Sequence, residues 1–312
     1  MKILLPTSTD LAPALPDGWE GVAVDARAEI PAEHRDAEAI VLWAPSRRHL
    51  ASAAALPRLR LVQSLSAGVE NIVTAGFAEE VPITTGAGLH SLTVAEHTVG
   101  LVLALLRSLP ESLAAQAEHR WAGEIGGPQP LNPPEKLNSL VGARVLVWGF
   151  GEIGQTVAPV LAGLGAEVRG VARSAGERAG FPVVAESEVA AELPGTDVVI
   201  DILPGGDATH HAIDAAVLEA LPDRAVLVNV GRGTTVDPVA LRAALEAGTL
   251  GGAGLDVTDP EPLPAEDPLW DAPRLIITPH SAGGKPVGAD TRITENLRRL
   301  DAGEELLHLA AR

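Results

Sequence analysis

The sequence predicts an α/β fold of two domains, each built on a parallel sheet. Three observations carry that prediction. Short apolar runs alternate with helix-compatible stretches, the alternation is interrupted once and restarts, and a glycine-rich turn joins strand to helix at the restart. At 312 residues and 46% hydrophobic, the chain is long enough for two compact domains with a cleft between them.

In the first part, "KILLP", "GVAVDA", "AIVLWAP", "LRLVQSL" and "VPITTGA" read as strands. "SLTVAEHTVGLVLALLRSLPESLAAQAEHRWAG" follows with apolar residues at helical spacing. It reads as a long connecting helix with Ser91 or Thr93 at its start and Pro110 as a break. The Gly- and Pro-rich "GEIGGPQPLNPPEK" marks the approach to a second domain. From Ala143, six further strands are predicted: "RVLVWGF", "EVRGVAR", "DVVIDIL", "AVLVNVG", "GGAGLDV" and "RLIITPH". The tail "TRITENLRRLDAGEELLHLAAR" reads as a helix returning to the first domain.

Composition narrows the function classes. A formal net charge of -18 repels phosphate backbones and anionic lipid, so neither nucleic acid nor a membrane is an expected partner. With no cysteine there are no disulfides or thiolate metal sites, and no metal site is expected. "MKILLPTSTD" lacks the long apolar stretch of a signal peptide and no window has 18 consecutive apolar residues, so a cytoplasmic protein is expected.

"VLVWGFGEIGQTVAPVLAGLGAEVRGVARS" places a GxGxxG turn between a strand and an amphipathic helix that leads to a second strand, the context a dinucleotide requires. Gly149 permits the tight turn, Gly151 lets a pyrophosphate approach the backbone, and Gly154 allows close helix packing. Glu152 and Ile153 complete the turn at the helix N-terminus. An NAD site would end the second strand in an acid about 20 residues on. Here Ala172 stands 18 residues after Gly154, followed by Arg173 and Ser174. Without that carboxylate a 2′-phosphate is not repelled, and Arg173 and Ser174 can pair with it, so NADP(H) is the favoured cofactor, with NAD(H) the alternative. The other reading of Arg173 is a solvated surface arginine.

Arg232 follows the strand "VLVNV", Glu261 follows "GGAGLDV", and His280 follows "RLIITP". Ligands of an open α/β sheet bind at the carboxyl ends of its strands, so the three residues rim one edge. Reducing a 2-oxo acid needs a fork for the carboxylate and carbonyl, a proton donor and a hydride source. Arg232 supplies planar bidentate geometry, His280 is the acid, and Glu261 orients the imidazole. Taken singly, each has a plainer reading: a surface arginine, a loop acid and a strand-capping histidine.

These motifs, with "SLSAGVEN", "VAEH", "WGFGEIG", "VNVGRG", "GLDVTDPEPLP" and "TPH", resemble the D-isomer-specific 2-hydroxyacid dehydrogenases over essentially the full length, glyoxylate/hydroxypyruvate reductase-like members included. The resemblance implies two Rossmann-like domains, a doubly wound parallel-sheet cofactor domain inserted in a flavodoxin-like substrate domain. The substrate domain is 1–104 plus 284–312 and the cofactor domain 105–283. It implies catalysis by Arg232, Glu261 and His280, and substrate carboxylate binding by the backbone of Ala67, Gly68 and Val69. Pro204, Thr209, Val230 and Asp256 line the cofactor, Asp256 near its carboxamide. A homodimer is expected, with the helix bearing Trp121 at its interface.

The sequence departs from the family at Ala172, where its acid is missing, and at His90, where it often has asparagine. A loop histidine is the plainer reading of His90, and solvated side chains are the plainer readings of Lys285, Arg47 and Arg48. Trp43, Leu65 and Leu89 are candidate walls of the substrate pocket or core residues. The expected activity is NAD(P)H-dependent reduction of a small 2-oxo acid to the D-2-hydroxy acid, and the reverse. The alternative is a dinucleotide-sensing, corepressor-like binding protein, separated from it by whether cofactor-dependent assembly survives when a His280 substitution abolishes turnover. A dehydrogenase of formate or phosphite would use similar machinery with different pockets.

Overall fold

The computed structural model describes residues 1–284 and 286–311, so Lys285 lies outside the described residues. The chain divides into two compact units, residues 1–90 with 285–312 and residues 91–284. The first contains β1 (Lys2–Pro6), β2 (Glu20–Val24), β3 (Ala39–Leu42), α1 (Arg47–Ala54), β4 (Leu61–Ser64), α2 (Glu70–Val73) and β5 (Ile83–Thr84). Its sheet is parallel throughout in the order β2-β1-β3-β4-β5. β3 is buried along its whole length and reads as a continuous apolar run rather than an alternating one; β4 is equally buried but ends in the polar Gln63 and Ser64. Successive side chains of β3 enter two cores: Ile40 and Leu42 join Leu50 and Ala53 of α1, while Ala39 and Val41 join Leu61, Leu65 and Leu89.

The second unit begins with α3 (Ser91–Leu106) and α4 (Leu109–Ala117). These are the two halves of the expected long helix. They meet at 67°, with Ser108 in the left-handed region at φ 51° and Pro110 in the first turn of α4, where its missing N–H costs nothing. There follow β6 (Arg144–Trp148), α5 (Glu152–Gly163), β7 (Glu167–Ala172), β8 (Gly176–Arg178), β9 (Phe181–Ala185), β10 (Val198–Asp201), α6 (Ala215–Glu219), β11 (Val226–Asn229), α7 (Pro238–Ala247), β12 (Gly252–Leu255) and β13 (Leu275–Ile277). The chain then returns to the first unit with α8 (Ala289–Ala302), whose Ile293 and Leu297 bury beside Ile3 and Val41.

The second sheet runs β13-β12-β11-β10-β6-β7-β9-β8, with β6 near its middle, so the strand order reverses beside the glycine turn. All six expected strands are present, and β8 and β9 were not expected. β9 extends the parallel sheet beyond β7 and β8 closes it as an antiparallel edge. Phe181 of β9 lies edge-on to Phe150 at 6.3 Å, which anchors this hairpin to the glycine turn. The division between units also differs from the expected boundary at 104. α3 belongs whole to the second unit, because Val94, Ala95, Leu101, Val102 and Leu105 bury among Val145, Val157, Val226 and Val228. No single helix among the described residues is long and apolar enough to cross a membrane.

Candidate active site

The glycine turn joins β6 to α5 with each glycine in a different role. Gly149 has φ 96°, and a Cβ there would lie 2.6 Å from the Ile202 carbonyl oxygen. A Cβ on Gly154 would lie 3.0 Å from the Gly149 carbonyl oxygen and 3.2 Å from Val147, so this glycine sets the approach of helix to strand. Among the described residues nothing lies within 4 Å of the corresponding point at Gly151, and no side chain caps the helix that begins with Glu152 and Ile153. The turn therefore offers an open backbone face at a helix N-terminus, and a dinucleotide pyrophosphate fits it.

Ala172 ends β7, leaving Arg173 and Ser174 exposed beyond it. Arg178, which sequence reasoning passed over, reaches back from β8 and donates from Nη2 to the Ser174 Oγ at 3.1 Å and carbonyl at 3.3 Å. Among the described residues Arg173 has no carboxylate partner, so two guanidinium groups and a hydroxyl stand where an NAD site has an acid. Pro204 follows β10, and the Thr209 hydroxyl donates to the Pro204 carbonyl at 2.6 Å, closing the intervening loop. Val230 is buried at the end of β11.

Arg232, Glu261 and His280 follow β11, β12 and β13, three adjacent strands, at their carboxyl ends. Arg232 sits on a turn fixed from beneath. Its carbonyl accepts from Asn229 Nδ2 at 2.9 Å and Thr235 Oγ1 at 2.6 Å, and Asn229 Oδ1 accepts from the Gly231 amide at 2.9 Å. The flanking glycines serve close backbone packing: a Cβ on Gly231 would lie 2.6 Å from the Leu203 carbonyl oxygen, and one on Gly233 2.0 Å from that of Thr258. Gly233→Ala is therefore expected to lower stability by about 1–3 kcal/mol, a shift that denaturant titration would show. Arg232 Nη1 donates to the Gly231 carbonyl at 2.8 Å, which leaves the rest of its planar fork for an anion.

His280 Nδ1 lies 2.7 Å from Glu261 Oε1. With the Nδ1 proton given to the carboxylate, Nε2 is the nitrogen left to exchange a proton with a ligand. The two side chains are 47% and 44% exposed, so this pair contributes little to stability and its chief effect is to fix the imidazole. The His280 backbone is in the left-handed region at φ 50°, uncommon for a non-glycine residue. Asp256 holds it there. Its carbonyl accepts from the His280 amide at 2.8 Å, and its carboxylate, 1% exposed, accepts from the amides of Ser281 at 2.9 Å and Ala282 at 3.0 Å and from Thr278 Oγ1 at 2.6 Å. His97 of α3 adds Nε2 at 2.9 Å from Thr278 Oγ1. The Asp256 carboxylate is thus already engaged in building the His280 turn, a part that the reading of it as a carboxamide ligand did not contain.

Ala67, Gly68 and Val69 lie in the first unit, between β4 and α2, and Val69 precedes α2 without a side-chain cap. In that unit Leu65 and Leu89 are core residues, 0% and 3% exposed, which removes them as pocket walls. His90 is also buried, with Nε2 2.7 Å from the Leu65 carbonyl and its ring stacked on Trp43 at 5.2 Å. Arg47 and Arg48 are exposed in the first turn of α1.

Residues 99–282 match the family described as D-isomer specific 2-hydroxyacid dehydrogenase, NAD binding domain. The glyoxylate/hydroxypyruvate reductase A of Klebsiella pneumoniae subsp. pneumoniae is 33% identical over 287 residues, covering 87% of this chain and 85% of the relative. A D-isomer specific 2-hydroxyacid dehydrogenase of Xanthobacter autotrophicus Py2, solved with NADPH and MES, superposes with a TM-score of 0.81 at 30% identity, covering 99% of this chain and 97% of that one. An NADPH-dependent glyoxylate/hydroxypyruvate reductase of Sinorhizobium meliloti, solved with NADP and sulfate, gives a TM-score of 0.79 at 25% identity, with 99% and 97% covered. A strand-ordered glycine turn, three polar residues at adjacent strand ends and full-length likeness agree: this chain belongs to the D-isomer specific 2-hydroxyacid dehydrogenases and is an NAD(P)-dependent oxidoreductase.

Proposed function

We propose that the protein reduces a small 2-oxo acid, glyoxylate or hydroxypyruvate, to the D-2-hydroxy acid with NADPH. The observation that carries the proposal is the His280–Glu261 pair at 2.7 Å, formed past the ends of β13 and β12, the latter next to β11, which leads to Arg232. Relatives named for this reaction, and solved with NADP or NADPH, support it.

The cofactor, when bound, supplies the hydride. Gly149, Gly151, Glu152, Ile153 and Gly154 form the turn for its phosphates, and Pro204, Thr209 and Val230 line it further along. Arg232 holds the substrate carboxylate and draws electron density from the reacting carbonyl. His280 delivers the Nε2 proton to the developing alkoxide, and Glu261 keeps the ring in the tautomer that allows it. Product configuration tests this reading: hydroxypyruvate reduced with NADPH should give D-glycerate on chiral chromatography, and the L isomer would overturn it.

The NADP(H) preference rests on Arg173 and Ser174 beyond a strand that ends in Ala172. Arg173→Ala is expected to raise KM for NADPH about tenfold and leave that for NADH nearly unchanged, since one charge-assisted phosphate contact is worth roughly 1.5 kcal/mol. Equal change for both cofactors would assign Arg173 to the surface alone. A homodimer is proposed through the second unit, in which Trp121, 95% exposed, and the exposed Leu109 and Leu113 of α4 offer apolar surface.

A further inference from the structure

β10 is apolar except for its last residue, and Asp201 is fully buried. Its Oδ1 accepts from the Leu203 amide at 2.9 Å, and its Oδ2 lies in short hydrogen-bond contact with Thr235 Oγ1. The same Thr235 oxygen lies 2.6 Å from the Arg232 carbonyl. A hydroxyl carries one proton and a carbonyl carries none to give. If Asp201 were a carboxylate, two acceptors would compete for the single Thr235 proton, and one oxygen pair at this distance would face each other unshared. If Asp201 is protonated, each contact holds one proton, running from Asp201 to Thr235 and from Thr235 to Arg232.

We infer that Asp201 is a positioning residue for Arg232, keeping a proton that it donates to Thr235 so that the Thr235 hydroxyl is free to hold the Arg232 carbonyl. The inference rests on the proposed substrate-holding role of Arg232. The charge environment agrees. Burial pushes the Asp201 carboxyl up to about 7, opposed only by the Thr235 hydroxyl and the Leu203 amide. Ionisable groups on the adjoining segments are turned elsewhere. Arg144 is at the far end of β6, Asp197 pairs with Arg224 at 2.8 Å, Arg232 donates to Gly231, and Asp237 faces His211 at 4.0 Å. Loss of the Asp201 proton would claim the Thr235 hydroxyl for the carboxylate and loosen the turn that aims Arg232.

Asp201→Asn tests this, because an amide at that place donates to Thr235 and still accepts from the Leu203 amide at every pH. Thermal midpoints and the steady-state constants for glyoxylate with NADPH are measured for wild type and D201N from about pH 5 to about pH 9. The folded wild type holds a proton that the unfolded chain releases in the ordinary aspartate range. Its stability should therefore fall relative to D201N as pH rises from about 4 to 7, then run parallel. KM for glyoxylate should match near pH 6 and rise several-fold in wild type relative to D201N as pH passes 7, with kcat changing less. Parallel profiles in both readouts would overturn the inference. If the midpoints diverge as stated while KM stays parallel, the Asp201 proton stands and its link to Arg232 fails; full activity of Arg232→Ala would trace that failure to the Arg232 role. Should D201N not fold, the infrared band of a buried protonated carboxyl in wild type reports alone. It should be present near pH 6 and lost by about pH 8.5, and its absence near pH 6 would overturn the inference.

Discussion

His280→Gln is expected to lower kcat for 2-oxo acid reduction by about 10²- to 10⁴-fold, the usual contribution of a positioned general acid. KM for the cofactor should change little, because His280 belongs to the turn after β13 and the glycine turn follows β6. Glutamine keeps a polar side chain of similar reach but cannot release a proton near neutral pH, so loss of turnover would measure proton transfer rather than packing. Glu261→Gln should give a smaller loss, since it leaves the imidazole in place without the carboxylate that fixes it at 2.7 Å. Adding it to His280→Gln should cost little more, because Glu261 acts through His280. The imidazole must start protonated for reduction and neutral for oxidation. Reduction should therefore fade as pH rises and oxidation as pH falls, and profiles running the same way in both directions would contradict His280 as the proton carrier.

Arg232→Ala is expected to lower transition-state stabilisation by about 3–5 kcal/mol, seen as a fall in kcat/KM for the oxo acid. The loss should be divided between KM and kcat, because the same guanidinium holds the carboxylate and polarises the carbonyl. Arg232→Lys should recover only part of it, since an ammonium restores the charge without the planar fork. Folding should be nearly unaffected: the turn is held through the Arg232 backbone carbonyl, and among the described residues the side chain donates only to the Gly231 carbonyl. Unchanged turnover in Arg232→Ala would remove the assignment.

The fold was legible because β3, β10 and β11 are buried from end to end and the sequence shows that directly, as apolar runs whose only polar residues are Asp201 and Asn229 at the ends of β10 and β11. The positions of Arg232, Glu261 and His280 were legible for a related reason: each lies a few residues past a strand, and parallel strands deliver their ends to one edge. The β8–β9 hairpin was not, since Gly176–Arg178 is three exposed or half-buried residues and its attachment depends on Phe181 meeting Phe150 far away in sequence. Leu65 and Leu89 were open to two readings because an apolar side chain near a strand or helix end reads alike whether it faces core or ligand. The supports beneath the site were missed although their signals were present. Asn229 and Asp201 are polar residues closing apolar strands, His97 is a histidine within an apolar helix, and Asp256 follows a buried run. Only the three-dimensional hydrogen bonds reveal that these groups hold the backbone of the Arg232 and His280 turns.

The measurement that bears most directly on the central claim is absorbance at the reduced nicotinamide band. NADPH and NADH are run in parallel against glyoxylate, hydroxypyruvate, pyruvate and phenylpyruvate, with wild type and His280→Gln side by side. Rapid decay is expected with NADPH and glyoxylate or hydroxypyruvate, slower decay with NADH, and near silence in the variant. Equal decay in wild type and His280→Gln, or no decay with any acid and either cofactor, would contradict it.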